Sequence, residues 1–150
     1  MDAKEFLERP LKLLGLLNDA KRKVTMLKAM AERGHAAYGP EAEVVSHSRN
    51  TNLLQDTVIR LAEAREEEAR LHGEYIDAVL ETGLVINRVQ DPVARMVLEK
   101  RYLEFMTIVE IAKGADHSER WGRMRHAEGL RAVREILDSD GAGGLYCRHY

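Results

Sequence analysis

Residues Thr107-Ile108-Val109-Glu110-Ile111-Ala112-Lys113-Gly114-Ala115-Asp116-His117-Ser118 carry two helix starts with one helix stop between them. Thr107 is a good N-cap, because its hydroxyl can accept from the backbone three residues on, and Glu110 stands where a capping box needs its acid. Ile108, Ile111 and Ala112 recur at helical spacing until Gly114-Ala115-Asp116 interrupts them. Ser118, preceded by His117, then caps a second helix. Two helices separated by a turn of three to four residues predict a helix-turn-helix.

Downstream of Ser118 the periodicity runs on, with Trp121, Met124, Leu130, Val133 and Leu137 available to face the preceding helices. The stretch from Asp138 to Tyr150 has three glycines and no periodicity, so residues 139–150 read as a flexible tail. Upstream, Asp91-Pro92 is the clearest boundary in the chain. Proline disfavours helix in the residue before it and suits the first turn after it. A helix is therefore expected from Pro92 to about Phe105, burying some of Val93, Met96, Val97, Leu98 and Tyr102. Residues 91–138 form the expected helix-turn-helix domain.

Residues 1–90 read as a long helical hairpin, coiled-coil-like in pattern. Asp2 and Glu5 have capping-box spacing, and Pro10 falls deep enough to kink or restart the first helix. From there Leu13, Leu17, Ala20, Val24, Leu27 and Ala31 alternate steps of four and three, a heptad seam that Gly34 is expected to end. Residues 34–50, with Tyr38-Gly39-Pro40 and a polar string, read as a loop. A second helix is expected from Thr51 or Asn52 to about Gln90, striped by Leu54, Val58, Leu61, Tyr75, Val79 and Ile86 and weakly striped between Glu63 and Arg70. Two such helices need to pack, because helical stability comes mainly from burying the apolar face. The same seam serves an antiparallel hairpin or a homodimer through the helical arm, and spacing does not choose between them.

The palette agrees with an all-α fold: hydrophobic residues make up 45%, charged residues 32% and aromatics 5% of the 150 residues. A net charge of −2 excludes a uniformly basic body, so affinity for a polyanion has to come from local charge. The single cysteine, Cys147, excludes an internal disulfide and a cysteine-rich zinc site. No apolar run approaches membrane-spanning length and no signal-peptide pattern opens the chain, so a cytoplasmic location without membrane partners is expected.

Local charge is concentrated after the turn. Between His117 and Arg134 there are five arginines against two acids, whereas Glu63 to Glu81 holds seven acids and two arginines. Arginine neutralises phosphates and reads guanine edges with two hydrogen bonds, which makes this helix the candidate DNA-binding element. The start of the second helix is what enters the major groove in such motifs, so His117, Ser118, Glu119, Arg120, Arg123 and Met124 are the base-side candidates. Arg125, Arg131 and Arg134 complete the cationic set, the last two as phosphate contacts. Trp121 and His126 read as core-filling or capping residues. The six histidines are scattered without metal-ligand spacing, Glu66-Glu67-Glu68 reads as a solvated face, and no phosphate-cradling glycine loop is visible. No enzymatic activity, cofactor or metal is expected.

The run Thr107 to Ser118, continuing to Ala127 and Leu130-Arg131, resembles the helix-turn-helix of region 4 of bacterial sigma factors. The longer set of Leu98-Glu99-Lys100-Arg101-Tyr102, Met106, Glu110-Ile111-Ala112, Ser118, Trp121, His126 and Leu130 is similar to a family of phage and prophage proteins, grouped with late-gene transcriptional regulators. That resemblance implies binding of double-stranded DNA near a phage promoter, with RNA polymerase as a further partner. Sigma factors carry Arg-Glu-Arg after the Ser118 position, where this chain has Glu119-Arg120-Trp121, and Met124 stands at a usual glutamine. Two other readings are open at this point: a module that docks on RNA polymerase without reading DNA, and a DNA-packaging adaptor of the small-terminase kind.

Overall fold

The computed structural model describes residues 1–36 and 47–141, and the described residues are all-α, with no strand. Five helices follow in order: α1 (Ala3–Ala36), α2 (His47–Asn87), α3 (Pro92–Tyr102), α4 (Ile108–Gly114) and α5 (Glu119–Gly141). Several boundaries differ from those expected. Gly34 does not end α1, and α2 starts at His47 rather than at Thr51 or Asn52 and stops at Asn87. The remainder of the expected loop, 37–46, lies outside the described residues. Helix α5 runs three residues beyond Asp138, and the rest of the expected tail, with Cys147, also lies outside them.

The chain divides into two compact units, and the division falls within α1 and α2 rather than at Asp91-Pro92. One unit is Leu13–Tyr75; the other combines Met1–Lys12 with the described residues from Ile76 onward. In Leu13–Tyr75 the two helices run antiparallel: Leu17 and Ala20 cluster with Leu71, and Leu54 lies against Gly34. The heptad seam of α1 is therefore satisfied within the chain, with Leu17, Ala20, Leu27 and Ala31 buried. On α2 the expected stripe holds in part: Ile86 is buried, Leu54, Leu61, Tyr75 and Val79 are half-buried, and Val58 is exposed. The stripe lacked a buried row seven residues apart, Ala64 and Leu71 in this unit and Ala78 and Val85 in the other. Alanines are weak apolar markers in a run of Glu and Arg, and they hid that row.

In the second unit the first turns of α1 and the last turns of α2 supply an apolar floor for α3 and α5. Phe6 and Leu7 join Val85, Ile86, Val89, Ala94, Leu98, Tyr102 and Val133 in one core cluster. Pro10 neither restarts nor ends α1, and its ring is fully buried. Short helices of 7 and 11 residues are unstable in isolation; this cluster holds α3, and α4 is held by packing against α5 and α3.

Local chemistry sets their ends; α3 and α4 start where expected, while α3 stops at Tyr102, short of the expected Phe105. Asp91 caps α3, its carboxylate accepting from the Val93 N–H at 2.9 Å, with Pro92 in the first turn. Thr107 and Glu110 form the reciprocal capping box of α4. At the end of α4 the His117 N–H returns to the Ala112 carbonyl and the Asp116 N–H to the Lys113 carbonyl, the paired bonds of a Schellman turn. The left-handed residue that turn requires is Asp116, at φ 57°, and not Gly114.

Candidate nucleic-acid interface

Helices α4 and α5 are joined by the four residues 115–118 and pack with α3 into a helix-turn-helix arrangement. Ser118 caps α5, its hydroxyl accepting from the Trp121 N–H at 3.2 Å. His117 and Trp121 stack beside that cap, with ring centroids 4.1 Å apart and planes 11° from parallel.

Which side of α5 faces outward is decided by two glycines that sequence reasoning passed over. Gly122, Gly129 and Val133 are the buried residues of α5. A Cβ on Gly122 would stand 2.9 Å from Ile108 Cγ2, so α5 rests on α4 there. Mid-helix glycine costs about 1 kcal/mol relative to alanine, and two of them seven residues apart on one face are a signal that helices approach closely. They are where such a cost is offset by packing.

The face opposite those glycines holds Arg120, Met124, Ala127 and Arg131, with Arg123 and Arg134 beside them, and all are exposed. Among the described residues Arg120, Arg131 and Arg134 have no ion pair. Arg123 pairs with Glu119 one turn back, but the pair is exposed and such contacts contribute little. His117, Ser118 and Glu119 are also exposed.

Arg125 is placed differently from the rest of the expected set. Its guanidinium lies 3.1 Å from Glu128 and 3.5 Å from Asp91, the cap of α3, and its Nε is buried with no partner in the structure. Those contacts tie α5 to α3, and on this geometry Arg125 belongs to the packing side of the helix. Met124, which the periodicity also offered to the core, is 50% exposed. His126 is half-buried and hydrogen-bonded to the Tyr102 hydroxyl at 2.7 Å.

Charge on α5 is thus sorted by face. Arg120, Arg123, Arg131 and Arg134 lie outward, while Glu128 and Glu135 line, with Asp91 and Arg88, a groove of about 400 Å³ on the side toward the α2–α3 junction. Among the described residues no group of three His, Cys, Asp or Glu side chains could hold a metal ion, and no helix is long and apolar enough to cross a membrane. No family model, curated protein or solved structure matches this chain.

Proposed function

We propose that this protein is a non-enzymatic regulator that binds double-stranded DNA through the outward face of α5. The observation that supports this reading most directly is the set Arg120, Arg131 and Arg134, exposed and without carboxylate partners among the described residues, on or beside the face opposite Gly122 and Gly129. Unpaired guanidinium groups on one helix face exchange counterions for phosphates without first breaking contacts of their own. Ser118, His117 and Arg120 at the start of the helix are the groups that would approach base edges, with Arg131 and Arg134 on phosphates. The resemblance to sigma region 4 and to phage late-gene regulators points the same way. RNA polymerase enters this reading as a second partner, through the acidic stretch of α2.

Fluorescence anisotropy with duplex oligonucleotides selected from a random pool tests it. Affinity should fall steeply with salt, and Arg120→Ala with Arg131→Ala should weaken binding about tenfold or more while leaving thermal stability unchanged. Binding that ignores salt, or that survives both substitutions, would remove the DNA reading. Failure on every duplex combined with capture of RNA polymerase would replace it with the polymerase-docking module.

A further inference from the structure

We infer that the unit Leu13–Tyr75 is completed by a second copy of itself, docked on one defined flank of the hairpin to give a four-helix assembly. This inference does not depend on the DNA reading. It starts from how little the hairpin buries alone. Its buried apolar residues are Leu17, Ala20, Leu27, Ala31, Ala64 and Leu71, half of them alanine. Two helices make one layer, and stable domains bury a second layer against the first.

The flank is identified by the groove that opens between the helices over Ala20, Leu27 and Ala64, about 450 Å³ in volume, with Met26 on its rim. Rows seven residues apart extend it along each helix. Leu16, Lys23 and Met30 follow one another on α1, and Leu53, Arg60 and Glu67 on α2. Leu16, Met26, Met30 and Leu53 are 53%, 55%, 46% and 64% exposed. Four large apolar side chains so exposed make a patch of roughly a few hundred Å², as large as monomer surfaces usually carry. With the charged residues between them, the flank approaches the ~800 Å² per partner of a standard interface.

Charge complementarity selects a second copy as the occupant. Arg60 and Glu63 lie one turn apart on the groove rim, both exposed and without an ion pair among the described residues. A two-fold axis passing between them sets Arg60 of each copy over Glu63 of the other, as an isologous interface requires. Across the groove Lys23 faces Glu67, whose carboxyl is held below its ordinary value first by its hydrogen bond to Arg70 and also by Lys23. The rim as a whole then carries Lys23 and Arg60 against Glu63 and Glu67, and it is neutral when it meets itself.

Analytical ultracentrifugation of the full-length protein tests the assignment, with circular dichroism as the check on folding. The wild type should sediment as a dimer whose mass depends on concentration. Met26→Asp should make it monomeric. Arg60→Glu and Glu63→Arg should each raise the dimer Kd at least about tenfold, and the double swap should restore it, since like charges juxtaposed are strongly disfavoured and the swap re-pairs them. A wild-type monomer at every concentration tested overturns the inference. So does a dimer untouched by these changes but dissociated by Leu80→Asp, which would move the interface to the exposed Ile76, Leu80 and Leu84 stripe of α2.

Discussion

Gly129 on α5 meets Leu98 on α3 so closely that a Cβ at residue 129 would stand 2.8 Å from the leucine Cγ and 2.9 Å from Cδ1. Leu98 is fully buried and cannot move aside. Gly129→Ala should therefore destabilise the protein by about 1–3 kcal/mol through overpacking, although alanine is the better helix former. Gly73, exposed in α2 with nothing within 4 Å, is the control. There the same change should stabilise by about 0.5–1 kcal/mol. Urea denaturation of the two variants should give opposite signs; destabilisation in both would mean that Gly129 is not a packing contact.

Tyr102 and His126 join α3 to α5 by a hydrogen bond between rings whose centroids are 5.6 Å apart. Burial pushes the Tyr102 phenol up to about 12, so it stays protonated. Burial, and then the nearby Arg101 and Lys4, hold the His126 imidazole below its ordinary 6.5. The unfolded chain then binds the proton first as pH falls. The His126 contribution to stability should be complete above pH 6.5 and be lost as pH drops through the lower, folded value. Denaturation midpoints measured across that window should decline in the wild type and flatten in His126→Gln. Tyr102→Phe should cost about 1 kcal/mol at neutral pH.

Arg125 and Arg120 should separate stability from DNA affinity. Arg125→Ala removes the contacts to Glu128 and to the cap residue Asp91, and should lower thermal stability with little change in affinity per folded molecule. Arg120→Ala should do the reverse, being exposed and unpaired among the described residues. Melting and anisotropy on the same preparations give both numbers. A loss of DNA affinity on Arg125→Ala larger than on Arg120→Ala would reverse the assignment of faces.

Asp116 occupies the left-handed region at φ 57°, where most side chains clash with their own backbone. Asp116→Gly should be neutral or slightly stabilising, while Asp116→Val should cost about 1–2 kcal/mol by straining the turn between α4 and α5. Thermal melts of the two variants should bracket the wild type.

The sites that read correctly from the sequence share a physical trait. Asp91-Pro92, the Thr107–Glu110 box and the Ser118 cap are interactions between residues at most four positions apart, and residue type alone carries them. The Leu17–Ala31 seam was legible for the same reason, since strong apolar residues repeat on one face. Where alanine or glycine stood without strong apolar residues marking its row, the pattern failed: Ala64 and Ala78 on α2, and Gly122 and Gly129 on α5, are buried by what approaches them rather than by their own hydrophobicity.

By itself, then, the sequence determined an all-α chain, most of its helix starts and the concentration of arginine after Ser118. Tertiary structure decided which arginines face outward, placed Arg125 against Asp91, and joined Met1–Lys12 to the C-terminal helices. Caps and periodicity depend on neighbours within a turn or two. The facing of α5 depends instead on Leu98 and Ile108, distant along the chain, and on whether a glycine lets the helices close to contact.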